Sequence, residues 1–145
     1  MAITQAIANS FKQELLGGEH DFDTGADVFK LALYTSDATL NSSTTSYTST
    51  NEVAASGQYA AGGGTLTGQT TALSSGVAYV DFADLSFTGV TLTARGALIY
   101  NTSATNTLAA VAILDFGGDK TATSGTFTIQ FPDANDTQAI IRIGN

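Results

Sequence analysis

Apolar residues recur every four positions at the start of the chain, at Ile3, Ile7, Phe11 and Leu15. That is the spacing of one helix face. Lys12, Gln13 and Glu14 fall mostly off the stripe, and Gly17-Gly18 supplies a stop, because glycine takes the left-handed position after a helix without strain. The pattern predicts an amphipathic N-terminal α-helix over 3–16, in a segment ending at 18. A helix of four turns is marginal in water, so the stripe has to pack on the domain's own sheet or on another subunit.

Beyond it the period changes to two. Val28–Thr35 reads as a strand, with Phe29, Leu31 and Leu33 on one face and Lys30, Ala32 and Tyr34 on the other. Residues 36–50 have only Leu40 and Tyr47 to bury and read as a long polar loop. In 51–64 the triple Gly62-Gly63-Gly64 is the strongest local breaker, fitting a bulge, a tight corner or a flexible loop. Strands follow at 77–82, 85–88 and 90–100. In the last of these Val90, Leu92, Ala94, Gly96, Leu98 and Tyr100 share one face, and Thr91, Thr93, Arg95, Ala97 and Ile99 share one turned to solvent or a neighbour. Residues 108–116 are apolar on both phases and are expected to be central. Gly117-Gly118-Asp119-Lys120 reads as a turn. A strand through Phe127, Ile129 and Phe131 should end at Pro132, which cannot donate to a ladder, and 139–143 closes the chain.

Seven or eight strands, one helix, no helical crossovers and no clear internal repeat predict a mainly β protein. The expected form is a small antiparallel β-sandwich, jelly-roll-like in one version, spanning 19–145 behind the helix of 1–18. Composition agrees. The chain has 145 residues, enough for one core, and only 12% are charged. Five basic residues stand against 13 acidic ones, for a net charge of −8. That disfavours nucleic acid and anionic membranes, which are held chiefly by Lys and Arg. There is no cysteine, hence no disulfide framework or thiolate chemistry. Nothing resembles a secretory leader, so the expected place of synthesis is a cytoplasm, with any release by lysis.

The candidates for chemistry are few. His20 is the single histidine and lies in Glu19-His20-Asp21-Phe22-Asp23. It reads as a base oriented by Asp21 or Asp23, or as an exposed residue of an acidic turn whose neighbours favour its protonated form. Asp21, Asp23 and Asp27 offer oxygen ligands of the kind Ca²⁺ takes, although their spacing is not that of an EF-hand and a solvated turn explains them equally. Asp81, Asp84 and Asp115 lie in or near strands, where an acidic pair for glycoside hydrolysis would have to sit. The triple glycine lacks the Lys-Ser/Thr of a phosphate loop. No metal or cofactor is expected, nor an enzyme. Arg95, in mid-strand, requires solvent or a carboxylate partner. Tyr34, Tyr47, Tyr59 and Tyr100 are either amphipathic contact residues or closures of the core.

Several stretches are familiar in combination. They are 3–7 with 10–16, Phe29-Lys30-Leu31-Ala32-Leu33-Tyr34-Thr35, Ala94-Arg95-Gly96-Ala97-Leu98-Ile99-Tyr100-Asn101, 110–120 and Phe127-Thr128-Ile129-Gln130-Phe131-Pro132. In this order, over nearly the whole chain, they resemble a family of small tailed-phage virion structural proteins common in aquatic phages. The resemblance implies a protein of the viral particle without catalytic residues. Capsid cement (decoration) is the preferred role, with the major capsid protein as partner and many copies per particle. A tail or baseplate adaptor or fibre-associated component is the first alternative, and a carbohydrate-binding β-module the second. The candidate contact groups are Ile3, Ile7, Phe11, Lys12, Tyr47, Tyr59 and Arg95, with Ile3, Ile7 and Phe11 also readable as core. The loops 36–50 and 56–70 join them.

Overall fold

The alternation along the second half of the chain folds into two long strands. In the computed structural model, which describes residues 2–144, β6 (Leu85–Asn101) and β7 (Ala109–Ile129) form an antiparallel hairpin. Three shorter strands complete their sheet: β1 (Ala6–Ile7), β2 (Phe29–Tyr34) and β3 (Gly64–Thr65), in the order β1-β7-β6-β2-β3. A second sheet holds β4 (Thr70–Ser74), β5 (Val77–Asp81) and β8 (Ile141–Ile143) in the order β4-β5-β8. All these pairings are antiparallel. The fold is therefore a mainly β, sandwich-like domain with one helix, α1 (Asn9–Leu16), near its N-terminus. Sequential strands pair within a sheet as hairpins instead of alternating between sheets as a jelly roll requires.

Residues opposed in a ladder share a face. Phe29, Leu31 and Leu33 oppose Asn101, Ile99 and Ala97. Phe22 covers this face, stacked 4.4 Å from Phe29, with Phe82 5.8 Å from Phe29 and Phe11 of α1 edge-on to Phe22 at 5.9 Å. On the other face Lys30, Ala32 and Tyr34 oppose Tyr100, Leu98 and Gly96. Ile3 seats over Gly96, and Tyr47 stacks on Tyr100 at 4.8 Å. The first sheet is thus covered on both sides, which buries Ala97 and Ile99; Thr91 and Thr93 keep the solvent exposure expected of that face, and Arg95 is half-buried. Residues 109–113 are buried throughout, as an apolar run between two neighbours should be.

The N-terminal helix is shorter than its pattern. Ile3 and Ile7 lie in extended chain: Ile3 bridges Leu40, Ile7 pairs with Ala112, and Thr4 and Ala8 donate backbone bonds to Leu40 and Val111. Pairing with a strand edge overrides a four-residue period that suits either structure. Ile3 and Phe11 belong to the core and Ile7 packs against it, so their role as outward contacts is corrected. The helix stops at Gly17-Gly18, with Gly18 left-handed at φ 80°.

Two further expectations change. Gly117-Gly118 does not separate strands. Asp115 pairs with Gly96 and Lys120 with Ala94, so Phe116–Asp119 bulge out opposite the single residue Arg95 while the ladder continues. The triple glycine is a close approach: a Cβ on Gly63 would lie 1.8 Å from the Leu31 carbonyl oxygen, and its φ is 79°.

Candidate functional site

Three polar clusters hold most of the residues singled out above; those around His20 and Glu52 are built inward, while Asp21 and Asp23 stay exposed. The first surrounds His20. The acidic sequence around this residue is not its spatial environment. It is 6% exposed, with Phe11 4.8 Å away and Phe22 and Phe29 each at 6.5 Å. The Asn101 side-chain amide nitrogen lies 3.0 Å from His20 Nδ1 and donates to Asp27 Oδ2 at 2.7 Å, while Asn101 Oδ1 accepts the Ser103 N–H. The amide orientation is fixed by those two bonds, so Nδ1 is an acceptor and the ring is the neutral Nε2–H form. Nε2 points toward Glu14, 3.7 Å from Oε2. Burial pushes the His20 pKa below 6.5, against the opposing pull of Glu14, Asp27 and Glu19. The exposed, protonated histidine expected from the neighbouring acids is overturned, because desolvation outweighs them. Neither Asp21 nor Asp23 orients it; Asn101 does.

The second cluster is the 21–27 loop. Asp27 Oδ2 accepts the Asp21 N–H at 3.0 Å, and Asp21 Oδ1 accepts the Asp23 N–H at 2.9 Å. Gln69, buried, donates its amide to the carbonyls of Asp23 and Asp27 at 3.1 and 2.8 Å. The carboxylates close turns in the manner of Asx motifs. Among the described residues, no group of three or more His, Asp or Glu side chains is placed to hold a metal ion.

The third cluster was missed in the sequence. Glu52 accepts the hydroxyls of Tyr47 at 2.6 Å and Tyr59 at 2.8 Å, together with the Gly62 N–H at 2.7 Å. Tyr59 also takes the Leu33 N–H at 2.8 Å, Tyr34 donates to the Thr48 carbonyl and Tyr100 to the Gly62 carbonyl. Four phenols from distant segments thus stitch the covering segment 45–63 onto β2 and β6. Burial, reinforced by Glu52, raises all four of their pKa values, that of Tyr100 to about 12. Tyr59, 1% exposed, is core and no contact residue, and Tyr47 is half-buried on Tyr100.

The remaining candidates lie apart. Arg95 pairs with Asp115 at 3.2 Å, and Asp115 also accepts the Gly117 N–H. That N–H first, then Arg95, holds the Asp115 carboxyl below its usual range. Asp84 accepts the Phe131 N–H. Asp84 and Asp115 are therefore occupied with separate partners. Lys12 is exposed and reaches Asn9.

The outer surface carries what the interior does not use. Leu16 is 91% exposed at the end of α1. Leu73, Ala78 and Ile143 stand in one row across β4, β5 and β8, and all three are exposed. On the same sheet face the next row holds buried Val80 and Ile141, so the apolar face of the small sheet overhangs the core. A groove of about 500 Å³ runs beside β7, with Phe116, Phe127, Phe131 and Ile140 in its wall. No protein family, curated protein or solved structure matches this chain.

Proposed function

We propose that this protein is a structural component of a tailed-phage virion, with capsid cement as its role. It would lie on the shell and tie neighbouring major capsid proteins together without catalysing a reaction. The ordered resemblance described above supports this reading. The structural observation that carries it is the distribution of polar chemistry. His20, four of the five tyrosines and the Asp21 and Asp27 carboxylates are tied into hydrogen bonds within the chain, while edge strands of both sheets and exposed apolar side chains lie on the outside. Such a surface fits contact with other proteins more closely than turnover of a substrate. Repetition around a shell would let weak contacts add up through multivalency.

The mechanism follows from that geometry. Each copy would bury area across a seam between capsomers and so raise the cost of separating them. Leu16 and the Leu73–Ala78–Ile143 row replace Ile3, Phe11 and Tyr59 as the apolar contact groups. The test is copy number in purified particles, by quantitative mass spectrometry, with an averaged density map for position. On the order of hundreds of copies on the shell supports cement. About six or twelve copies at one vertex transfers the protein to the tail or baseplate. Particles of full composition that lack the chain overturn both readings.

A further inference from the structure

The two ring nitrogens of His20 face groups that favour different protonation states. The side chain is fully enclosed, with Phe11 at 4.8 Å and Phe22 and Phe29 each at 6.5 Å. On the Nδ1 side stands the Asn101 amide nitrogen at 3.0 Å. That amide is locked. Turning it over would surrender both its bond to Asp27 Oδ2 at 2.7 Å and the Ser103 N–H bond it accepts at 2.8 Å. A proton on Nδ1 would therefore meet a second donor. On the other side Nε2 has no hydrogen-bond partner among the described residues, and neither has the buried Oε1 of Glu14. Nε2 stops 3.7 Å from Glu14 Oε2. The neutral ring thus keeps the Asn101 bond and leaves the one toward Glu14 unmade.

Protonation reverses that balance. The imidazolium donates from both nitrogens, so Asn101 opposes it and Glu14 attracts it. A shift of about 1 Å brings Nε2 to the ~2.7–2.9 Å of a charge-assisted bond. The titratable groups around the ring are all acidic: Glu14 from α1, and Glu19 and Asp27 from the segment that follows. Strand β2 brings Phe29 and β6 brings Asn101, neither of which titrates. The corner 101–106 is tied to α1 and the turn after it by Asn101 on His20, by the Asn106 amide on Glu14 Oε2 at 3.2 Å and by the Thr105 N–H on Glu19 at 3.1 Å. Of these ties the one to His20 is buried, and an imidazolium on Glu14 competes with Asn106 for the same oxygen. We propose that His20 is a proton-operated latch: neutral, it fastens α1 and the turn after it to the corner 101–106 through Asn101; protonated, it leaves Asn101, pairs with Glu14 and loosens that corner. Burial places the release below pH 6.5. The latch does not depend on the virion reading.

The experiment is an NMR titration of the full chain from about pH 8 to about pH 4, across the ordinary histidine range. At the alkaline end the ring nitrogen shifts should report Nε2–H with Nδ1 bare. Below pH 6.5 Nδ1 should gain its proton while the chain stays folded. In the same step the nuclear Overhauser contact between the ring and the Asn101 amide should vanish, and the amides of 102–106 should lose exchange protection beyond the intrinsic effect of pH. Glu14→Gln keeps the shape and removes the charge, and should lower the midpoint by about one pH unit. His20→Phe suits the aromatic surroundings and should abolish the step at 102–106. A bare Nε2 at the alkaline end overturns the proposal. So does a proton gained only as the whole chain unfolds, a midpoint indifferent to Glu14→Gln, or a step at 102–106 that persists in His20→Phe. The wild-type titration decides alone if either variant fails to fold.

Discussion

At Tyr59 a single hydroxyl satisfies two partners, the buried Leu33 N–H and the half-buried Glu52 carboxylate. Tyr59→Phe keeps the ring and removes both bonds. It should lower stability by about 1–3 kcal/mol in urea unfolding, the usual cost of orphaned buried polar groups. His20 gives a pH-dependent counterpart. Its folded pKa lies below the unfolded value of 6.5. The unfolded chain therefore binds the proton first as pH falls. Stability should be full above about pH 6.5 and decline as pH drops from there toward the folded pKa. His20→Phe should flatten the decline between about pH 7 and 5, where few carboxylates titrate. An unfolding series in which the variant follows the wild type would remove His20 as the source. None of this was legible in order along the chain. The residues beside His20 in sequence are acids, but those beside it in space are phenylalanines drawn from α1, the following loop and β2. The Glu52 cluster was hidden for the same reason, since Tyr34 and Tyr100 reach it only through the fold.

Among the elements, those with one buried face could be read and those without could not. The period-two pattern located β2, β5 and the body of β6, because burial on one side imposes alternation. Strand β4 went unseen: all five of its residues are exposed, so no alternation marks it. Its only local sign is Ser75-Gly76, both with positive φ, which turn the chain between Ser74 and Val77 as a two-residue hairpin loop. Helix α1 shows the converse. Its stripe was visible, but a four-residue spacing could not tell helix from the extended lead-in that pairs with β7. Phe11 is the only buried residue of α1. Phe11→Ala should cost about 3–5 kcal/mol, the range for emptying a buried aromatic site. Loss of helical signal before global melting would show α1 detaching first.

For the molecule as a whole, the decisive feature is that the large sheet is covered twice, by α1 and the aromatic cluster on one face and by the segment 36–63 on the other. Covering both faces consumes most of the apolar side chains, so among the described residues little remains outside except Leu16, Val28, the overhanging row on the small sheet and the groove by β7. Composition foreshadowed a β-domain of small residues. It could not foreshadow the second cover, which is built from the stretch that looked most like a polar loop and is tied down by tyrosine hydroxyls instead of a hydrophobic stripe.

The bulge opposite Arg95 holds a length of chain that the ladder does not use. At Phe116–Asp119 the chain leaves the ladder and rejoins it, so extra length spliced between Gly118 and Asp119 alters no pairing on either side. A flexible insert of about ten residues should shift the melting temperature by only a few degrees. A chain so altered should remain folded, which makes this spot a place to attach a label without disturbing the sheet.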